Sequence, residues 1–328
     1  MRRREALRVI GSAAAWPILA HAQSLKKLPA IGFIATAGGA QSRMINAFKE
    51  GLREVGYVEG TNITVEYRAA DNKVERFPVL AAELVELRVD VILATNSLAA
   101  RAAKQATSTI PIVVPVMGDP IGDGLVASLA RPESNITGLT FLGPELLPKR
   151  LALLKEALPS ASRVAALWHP GAYGEATMND MLKRAEAGAR SLDVNLQLTA
   201  VQGYDEIGQA LSKMATERAD ALLVFPSPML FNGLRSIADL AAQFSLPAMA
   251  MGREFVEFGG LMAYGANIAD LHRRAAAYVD KILKGARATD LPVEQPVSFE
   301  FLINMKTARA MGLTIPPTLL ARADEVIE

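Results

Sequence analysis

The chain has 328 residues, with 35 Lys and Arg against 34 Asp and Glu, no Cys, and a hydrophobic fraction of 51%. This composition excludes wholesale disorder, and the lack of Cys excludes a disulfide framework, a zinc–cysteine site and a cysteine nucleophile. A net charge near zero also argues against nucleic-acid binding, which needs a basic surface to displace counterions from phosphates.

The first 22 residues have the layout of a secretory signal peptide. Arg2, Arg3 and Arg4 give a positive start, residues 9–19 form a short apolar run, and Ala20-His21-Ala22 supplies small residues around a cleavage site. The apolar run is too short to cross a membrane core, which takes roughly 20 residues. We therefore expect cleavage after about Ala22 and export to the periplasm, by the general route or by the twin-arginine route.

Short apolar runs then alternate with helical patterns along the first half of the chain. Strands are predicted at 30–35, 63–67, 89–94, 112–116 and 136–141. Helices are predicted at 44–55, 77–87, 98–106 and, as a short one, 125–129. This alternation is typical of a parallel sheet with helices on both faces.

The same alternation repeats in the second half of the chain. Strands are predicted at 163–168, 196–201, 221–225, 248–251 and 260–264, followed by an apolar run at 299–303. Helices are predicted at 147–158, 178–192, 204–217, 234–244 and 270–284. The sequence therefore predicts an α/β protein with two doubly wound lobes and a junction near residues 141–148.

Loops that follow strands are the candidate binding positions, because ligands of doubly wound folds bind beyond the carboxyl ends of the strands. In the first half, the small residues of 36–42 leave room for a ligand at a helix N-terminus, or simply form a turn. Asn96 and Ser97 either cap the next helix or bind a carboxylate, and Asp119 either caps a helix or pairs with an ammonium group.

The second half offers a matching set of polar loops. Trp168 and His169 either face a ligand or pack in the core, and Ser227 lies between two prolines that stiffen its loop. Arg253 and Glu254 either face the cleft or form a solvated turn. On the last long helix, His272 lies beside Arg273 and Arg274, and this neighbourhood predicts an exposed side chain.

Catalytic motifs are missing from the sequence. It contains no nucleophile elbow, no His-Glu-x-x-His pair, no phosphate loop and no dinucleotide fingerprint. We therefore expect a protein that is not an enzyme and that carries no cofactor and no metal. Two alternatives stay open at this point: a cleft enzyme that uses Asp119 and Glu254, and a ligand-sensing binding protein that hands its closed form to a receptor.

Several collinear motifs resemble one known family, the tryptophan/tyrosine-binding-protein-like substrate-binding proteins of ABC importers. They are residues 51–60, Gly118-Asp119-Pro120, Asn135-Ile136-Thr137-Gly138 and Ile315-Pro316-Pro317. The resemblance implies a type-I periplasmic binding fold, whose two lobes are joined by a hinge. The N-terminal lobe would comprise residues 23–142 plus about 268–290, and the C-terminal lobe 143–267 plus about 291–328.

The resemblance also implies a function, the capture of a small solute in the cleft between the lobes. An aromatic amino acid or related carboxylate is the first expectation, and an aliphatic one is the second. The matching positions are Ser42, Asn96, Ser97, Asp119, Pro226, Ser227, Gly252, Glu254 and Tyr264. We expect a monomer that delivers its ligand to permease and ATPase subunits in the inner membrane.

Overall fold

The computed structural model describes residues 28–36 and 40–328, and for residues 40–42 it describes the backbone only. The predicted signal peptide at residues 1–22 lies outside these ranges. In the described ranges the strands are β1 Ala30–Ala35, β2 Thr64–Ala69, β3 Val91–Ala94, β4 Ile112–Met117, β5 Ile136–Thr140, β6 Arg163–Trp168, β7 Asn195–Ala200, β8 Ala221–Val224, β9 Ala248–Ala250, β10 Met262–Gly265, β11 Glu300–Asn304 and β12 Glu325–Ile327.

The helices connect these strands and cover their faces. They are α1 Ala40–Glu54, α2 Phe77–Glu86, α3 Ser97–Ala106, α4 Leu147–Ala157, α5 Glu175–Ser191, α6 Tyr204–Thr216, α7 Pro228–Asn232, α8 Leu234–Gln243, α9 Arg253–Glu257, α10 Ile268–Leu283, α11 Met305–Ala310 and α12 Pro317–Leu320. Among the described helices, none is both long and apolar enough to cross a membrane.

The first lobe is built on a five-stranded parallel sheet in the order β2-β1-β3-β4-β5. β1 and β3 are buried along their whole length, which explains why they read as continuous apolar runs. Alternate side chains of β1 face opposite helix layers. Phe33 contacts Phe48 of α1, with 5.8 Å between ring centroids, whereas Ile34 belongs to the core formed with α2 and α3.

The second lobe is built on a seven-stranded sheet in the order β12-β11-β10-β9-β8-β6-β7. Most neighbouring strands are parallel, but β11 runs antiparallel to β10. Between these two strands the chain leaves the second lobe, forms α10 against α1 and β4 of the first lobe, and returns. Because it re-enters the sheet at the end from which it left, β11 runs in the opposite direction.

The chain thus crosses between the sheets three times, after β5, after β10 and before β11. Arg150 of α4 ties the first two crossings together. Its Nε donates to the carbonyl of Tyr264 at 2.7 Å, and its Nη1 donates to the carbonyl of Gly143 at 3.0 Å. Burial lowers the pKa of this guanidinium to about 10, so Arg150 stays charged at neutral pH.

Some local predictions differ from the structure. The helix predicted at 125–129 is wrong, because a turn occupies this stretch: the N–H groups of Leu125 and Val126 both donate to the carbonyl of Pro120, and Gly124 has a φ of 66°. The sequence also gave no indication of α7 and α9, which have five residues each and are too short for a helical period to show.

Candidate functional site: a cavity between the two lobes

A cavity with about 520 Å³ of empty volume, partly open to solvent, lies at the carboxyl ends of the strands of both sheets. Both lobes contribute to its wall. The lining residues are Thr36, Met44, Thr95, Asn96, Ser97, Val116, Phe141, Tyr173, Ser227, Pro228, Phe231, Met251, Ile268 and His272.

Asn96 organises the first-lobe wall, where β3 ends and α3 begins. Its Oδ1 accepts hydrogen bonds from the N–H groups of Leu98 and Ala99 at 3.0 and 3.1 Å, so it caps α3. Its Nδ2 donates to Oγ1 of Thr36, at the end of β1, at 2.9 Å. The Asn96 side chain is therefore held rigidly in the wall by the neighbouring strand and by the helix that it caps.

Ser97 is the first residue of α3 and is buried beside Asn96. Its hydroxyl oxygen accepts a hydrogen bond from the N–H of Gly118, just after β4, at 3.2 Å. The ends of β1, β3 and β4 are thus joined by side chains at one point of the cavity wall.

Ser227 occupies the corresponding place in the second lobe, between β8 and α7. Its Oγ accepts a hydrogen bond from the N–H of Leu230 at 3.3 Å, so it caps this short helix. The same oxygen lies 3.4 Å from Nδ1 of the buried His169. Burial lowers the pKa of His169, and the imidazole is therefore uncharged at neutral pH.

Three aromatic rings complete the wall: Phe141 after β5, Tyr173 after β6 and Phe231 in α7. Tyr173, on the second lobe, packs directly against Gly118 of the first. A Cβ atom placed on Gly118 would lie only 2.4 Å from Cε1 of Tyr173, so this contact requires a glycine. Sequence reasoning did not select Tyr173 or Phe231, since neither a loop nor a five-residue helix is long enough to show which way a side chain faces.

His272 of α10 also lines the cavity, and the prediction that it is exposed was wrong. Its side chain is only 2% exposed, and its Nδ1 lies 2.9 Å from the carbonyl oxygen of Ile268. Burial lowers its pKa to about 4. The helical spacing could have indicated this position, because His272 lies one residue after Leu271 and four after Ile268, both of which are buried.

Two of the predicted site residues, Asp119 and Tyr264, are not among the described residues that line the cavity. Oδ1 of Asp119 accepts hydrogen bonds from the N–H groups of Ile121 and Gly122 and so caps a turn. The ring of Tyr264 packs between those of Phe299 and Phe301. The side chain of Ser42, in the first turn of α1, is outside the described part of the chain.

Pro226, Gly252 and Glu254 lie close behind the second-lobe wall. Pro226 directly precedes Ser227, and Gly252 has a φ of 84° and packs beside Phe231. Glu254 lies in α9, is 6% exposed, and has its Oε1 3.7 Å from Nη1 of Arg43 in the first lobe. Burial raises the pKa of the Glu254 carboxyl.

Around the cavity, polar contacts cross from one lobe to the other; we call these contacts the rim. Nη1 of Arg43 lies 2.8 Å from Oε2 of Glu257 in α9. The Tyr204 hydroxyl donates to Oδ1 of Asn72 at 2.9 Å, and the N–H of Gly174 donates to Oδ1 of Asp123 at 2.7 Å. The two lobes are therefore in contact on several sides of the cavity, in a closed arrangement.

The side chains of this site were also compared with the requirements of a metal ion. Within the part of the chain that the structure describes, no group of three or more His, Asp or Glu side chains is arranged to hold a metal ion. The polar groups that line the cavity are hydroxyls, an amide and an imidazole, all of which suit hydrogen bonding to a small molecule.

Comparisons with known proteins point to one family. The sequence profile described as ABC transporter substrate binding protein matches residues 33–327. A tyrosine-binding protein from Clostridioides difficile (strain R20291) is 26% identical over 267 residues, which cover 81% of this chain and 75% of the relative.

Two solved structures share the fold. An ABC domain from Streptococcus pneumonia in complex with L-Trp has a TM-score of 0.84 and 24% identity, covering 92% of this chain and 100% of its own. A ligand-free, open substrate binding protein from Clostridium difficile has a TM-score of 0.66 and 22% identity. The match covers 92% of this chain and 99% of that protein. The predicted fold class, two doubly wound lobes of the type-I periplasmic binding kind, is confirmed.

Proposed function

Because the chain belongs to the family of ABC transporter substrate-binding proteins, we propose that it captures a small solute in the cavity between its lobes. In this proposal it delivers the solute, unchanged, to permease and ATPase subunits in the inner membrane. The observation that carries the proposal is the composition of the cavity wall, to which both lobes contribute hydrogen-bonding groups and aromatic rings.

This wall explains how binding would favour closure. A ligand that touches Asn96 and Ser97 on one side and Ser227 and Phe231 on the other makes its full set of contacts only when the lobes are together. Its extra affinity for the closed form then shifts the equilibrium toward that form. The three crossings between the sheets are the proposed hinge, with lobes of residues 23–142 plus about 268–290 and 143–267 plus about 291–328.

The proposed ligand class is an aromatic amino acid or a related carboxylate. The rings of Phe141, Tyr173 and Phe231 offer flat apolar surface for an aromatic group. Because Asn96 accepts hydrogen bonds from the second and third N–H groups of α3, the first N–H, that of Ser97, is the donor left for a ligand carboxylate. The tyrosine-binding relative and the L-Trp complex support the same class.

Asn96, Ser97 and Ser227 are the residues we propose to contact the ligand. Asp119, Pro226, Gly252, Glu254 and Tyr264 would support the wall from behind, and Ser42 remains a prediction. The higher TM-score with the L-Trp complex than with the open, ligand-free protein supports the view that this structure represents the closed form.

Export is the second part of the proposal. The signal-peptide layout of residues 1–22, with a predicted cleavage after about Ala22, supports a periplasmic protein. Mass determination of the protein purified from the periplasm tests this directly, since cleavage removes the first 22 residues. A full-length chain retained in the cytoplasm would contradict it.

Isothermal titration calorimetry of the exported chain against the standard amino acids and aromatic carboxylates tests the ligand. We expect one binder with a dissociation constant of about 1 μM or lower, which corresponds to about −8 kcal/mol. Mass spectrometry of the ligand recovered after release should show no chemical change. Absence of binding across the panel would contradict the proposed ligand class, and a changed product would favour the cleft-enzyme alternative.

A further inference from the structure

The imidazole of His272 has a defined orientation in the cavity wall. The side chain is 98% buried, and its Nδ1 lies 2.9 Å from the carbonyl oxygen of Ile268, one helical turn earlier in α10. A carbonyl oxygen can only accept a hydrogen bond, so Nδ1 must carry the hydrogen. In a neutral imidazole the other nitrogen, Nε2, then has a free lone pair.

Nε2 of His272 has no hydrogen-bond partner among the described residues, although it is buried. Burial keeps the ring neutral, with a pKa of about 4, so Nε2 is an acceptor rather than a donor at neutral pH. A buried acceptor without a partner is unfavourable, because it has lost its hydrogen bond to water and gained none in the protein. Such groups are uncommon in native proteins, and His272 is one of the residues that line the cavity, so a bound molecule is a natural partner for this atom.

Three other polar side chains of the wall already have partners within the protein. Asn96 bonds to α3 and to Thr36, Ser97 accepts from Gly118, and Ser227 accepts from Leu230. These three side chains hold the wall together as well as facing the cavity. Nε2 of His272 is different, because it makes no hydrogen bond to any residue in the described part of the chain.

We propose that Nε2 of His272 accepts a hydrogen bond from an N–H or O–H group of the bound ligand. This inference rests on the proposed function and adds to it a requirement on the ligand, which must carry a donor as well as an apolar ring. A ligand that lacks the donor would leave Nε2 unpaired, and sites built around a hydrogen bond discriminate strongly against such analogues. His272 is thus a specificity-determining residue.

Three ligand pairs that differ by one donor test the proposal. L-Tyrosine and L-phenylalanine differ in the phenol O–H, L-tryptophan and 1-methyl-L-tryptophan in the indole N–H, and L-phenylalanine and 3-phenylpropionate in the ammonium group. Affinities are measured by calorimetry for the exported wild-type protein and for His272→Phe, which keeps a flat ring but has no acceptor. Met44→Leu is the matched control, because it changes another cavity-lining side chain without adding or removing a hydrogen-bonding group.

We expect the wild type to prefer the donor-bearing member of at least one pair by about tenfold or more. His272→Phe should reduce that preference to about twofold, whereas Met44→Leu should leave it unchanged. His272→Gln, which restores an acceptor at a similar distance from the backbone, should recover part of the preference. The pair that responds identifies the donor group.

A measurement on the wild type itself removes any dependence on the folding of the variants. His169 and His272 are the histidines that remain after removal of residues 1–22, so the ¹⁵N resonances of the rings are readily assigned. We expect the Nε2 resonance of His272 to show a bare acceptor without ligand and a hydrogen-bonded acceptor when the preferred probe is saturating.

The outcomes separate this inference from the proposed function. If ligand preferences are the same in the wild type and His272→Phe, and the Nε2 resonance of His272 does not change on binding, the inference is overturned and the proposed function stands. A protonated His272 in the complex also overturns it, because Nε2 would then donate to an anion. Failure of the wild type to bind any of the probes contradicts the proposed ligand class and this inference together.

Discussion

The cavity and the rim bring the same two lobes together by different chemistry. The cavity wall consists of uncharged groups, such as Asn96, Ser227 and the neutral His272, set among aromatic rings. The rim also contains charged side chains, namely the ion pair of Arg43 with Glu257 and the buried carboxylate of Asp123, beside the uncharged contact of Tyr204 with Asn72.

The difference separates two tasks, recognition and closure. Hydrogen bonds to neutral groups in a buried wall are directional and discriminate between ligands, because a mismatched ligand leaves a buried group unpaired. Ion pairs at an exposed edge stabilise the assembly weakly, since solvent and salt screen them. Changes in the cavity should therefore alter affinity and specificity strongly, and changes at the rim should alter closure modestly.

The largest effect is expected where the lobes touch inside the cavity, at Gly118. Gly118→Val would place its side chain where the Tyr173 ring lies, so the lobes could not close completely. We expect a loss of affinity of about 100-fold, corresponding to about 3 kcal/mol of overpacking, with little change in the thermal stability of the ligand-free protein. Adding Tyr173→Ala should restore part of the affinity; no loss in Gly118→Val would show that this contact does not form on binding.

A somewhat smaller effect is expected for the aromatic wall of the second lobe. Phe231→Ala removes a ring from the cavity but no hydrogen-bonding group, and affinity for an aromatic amino acid should fall by about 10–30-fold. Phe231→Leu, which keeps most of the apolar volume, is the control, and its affinity should fall less than that of Phe231→Ala. Equal affinity of all three proteins in calorimetry would mean that the ligand does not contact this wall.

Asp123 tests a rim contact that is buried rather than exposed. Asp123→Ala leaves the N–H of Gly174 without its acceptor and should weaken binding by about 5–10-fold. Asp123→Asn keeps an amide oxygen for this N–H, so its affinity should stay within about twofold of the wild type. An equal loss in both variants would indicate that the charge, and not the hydrogen bond, matters.

The same carboxylate predicts the direction of a pH effect. Burial raises the pKa of Asp123 above its ordinary value, so the ionised form opposes the closed state. Affinity should therefore rise as the pH falls through this raised pKa toward the ordinary pKa of an aspartate, and Asp123→Asn should flatten the dependence. The raised pKa of Glu254 acts in the same direction, so Asp123→Asn should still show a weak dependence of affinity on pH. An affinity that falls as the pH is lowered would contradict this predicted direction.

The smallest effect is expected for the exposed ion pair. Arg43 is 43% exposed and Glu257 is 36% exposed at the side chain, so Arg43→Ala should weaken binding by about five-fold or less. This difference from the wild type should disappear at high salt concentration. A large loss that salt does not reduce would place Arg43 among the residues that recognise the ligand.

Much of the fold could be predicted from the sequence because the central strands are buried on both faces. The predicted and observed bounds of β1 and β6 are the same, since each contains a buried apolar run between parallel neighbours. The stretch at 125–129 misled the prediction, because its apolar residues are buried by a turn and not by a helix.

The site was harder to predict than the fold. Asn96, Ser97 and Ser227 could be identified because they directly follow buried strands, where the fold class places ligands. Tyr173 and Phe231 could not, since one lies in a loop and the other in a helix of only five residues, and neither segment shows a period. His272 was wrongly expected in solvent because Arg273 and Arg274 follow it, although neighbours along a helix face different directions.

The distance between the lobes with and without ligand tests the central claim most directly. Glu75→Cys and Asp205→Cys place one exposed label on each lobe near the contact of Asn72 with Tyr204, and the absence of native Cys makes both labels specific. Double electron–electron resonance between spin labels at these two positions should show a longer, broader distance distribution without ligand. At saturating L-tyrosine or L-tryptophan, whichever binds, the distribution should be shorter and narrower. A distribution that ligand binding leaves unchanged would contradict capture by closure.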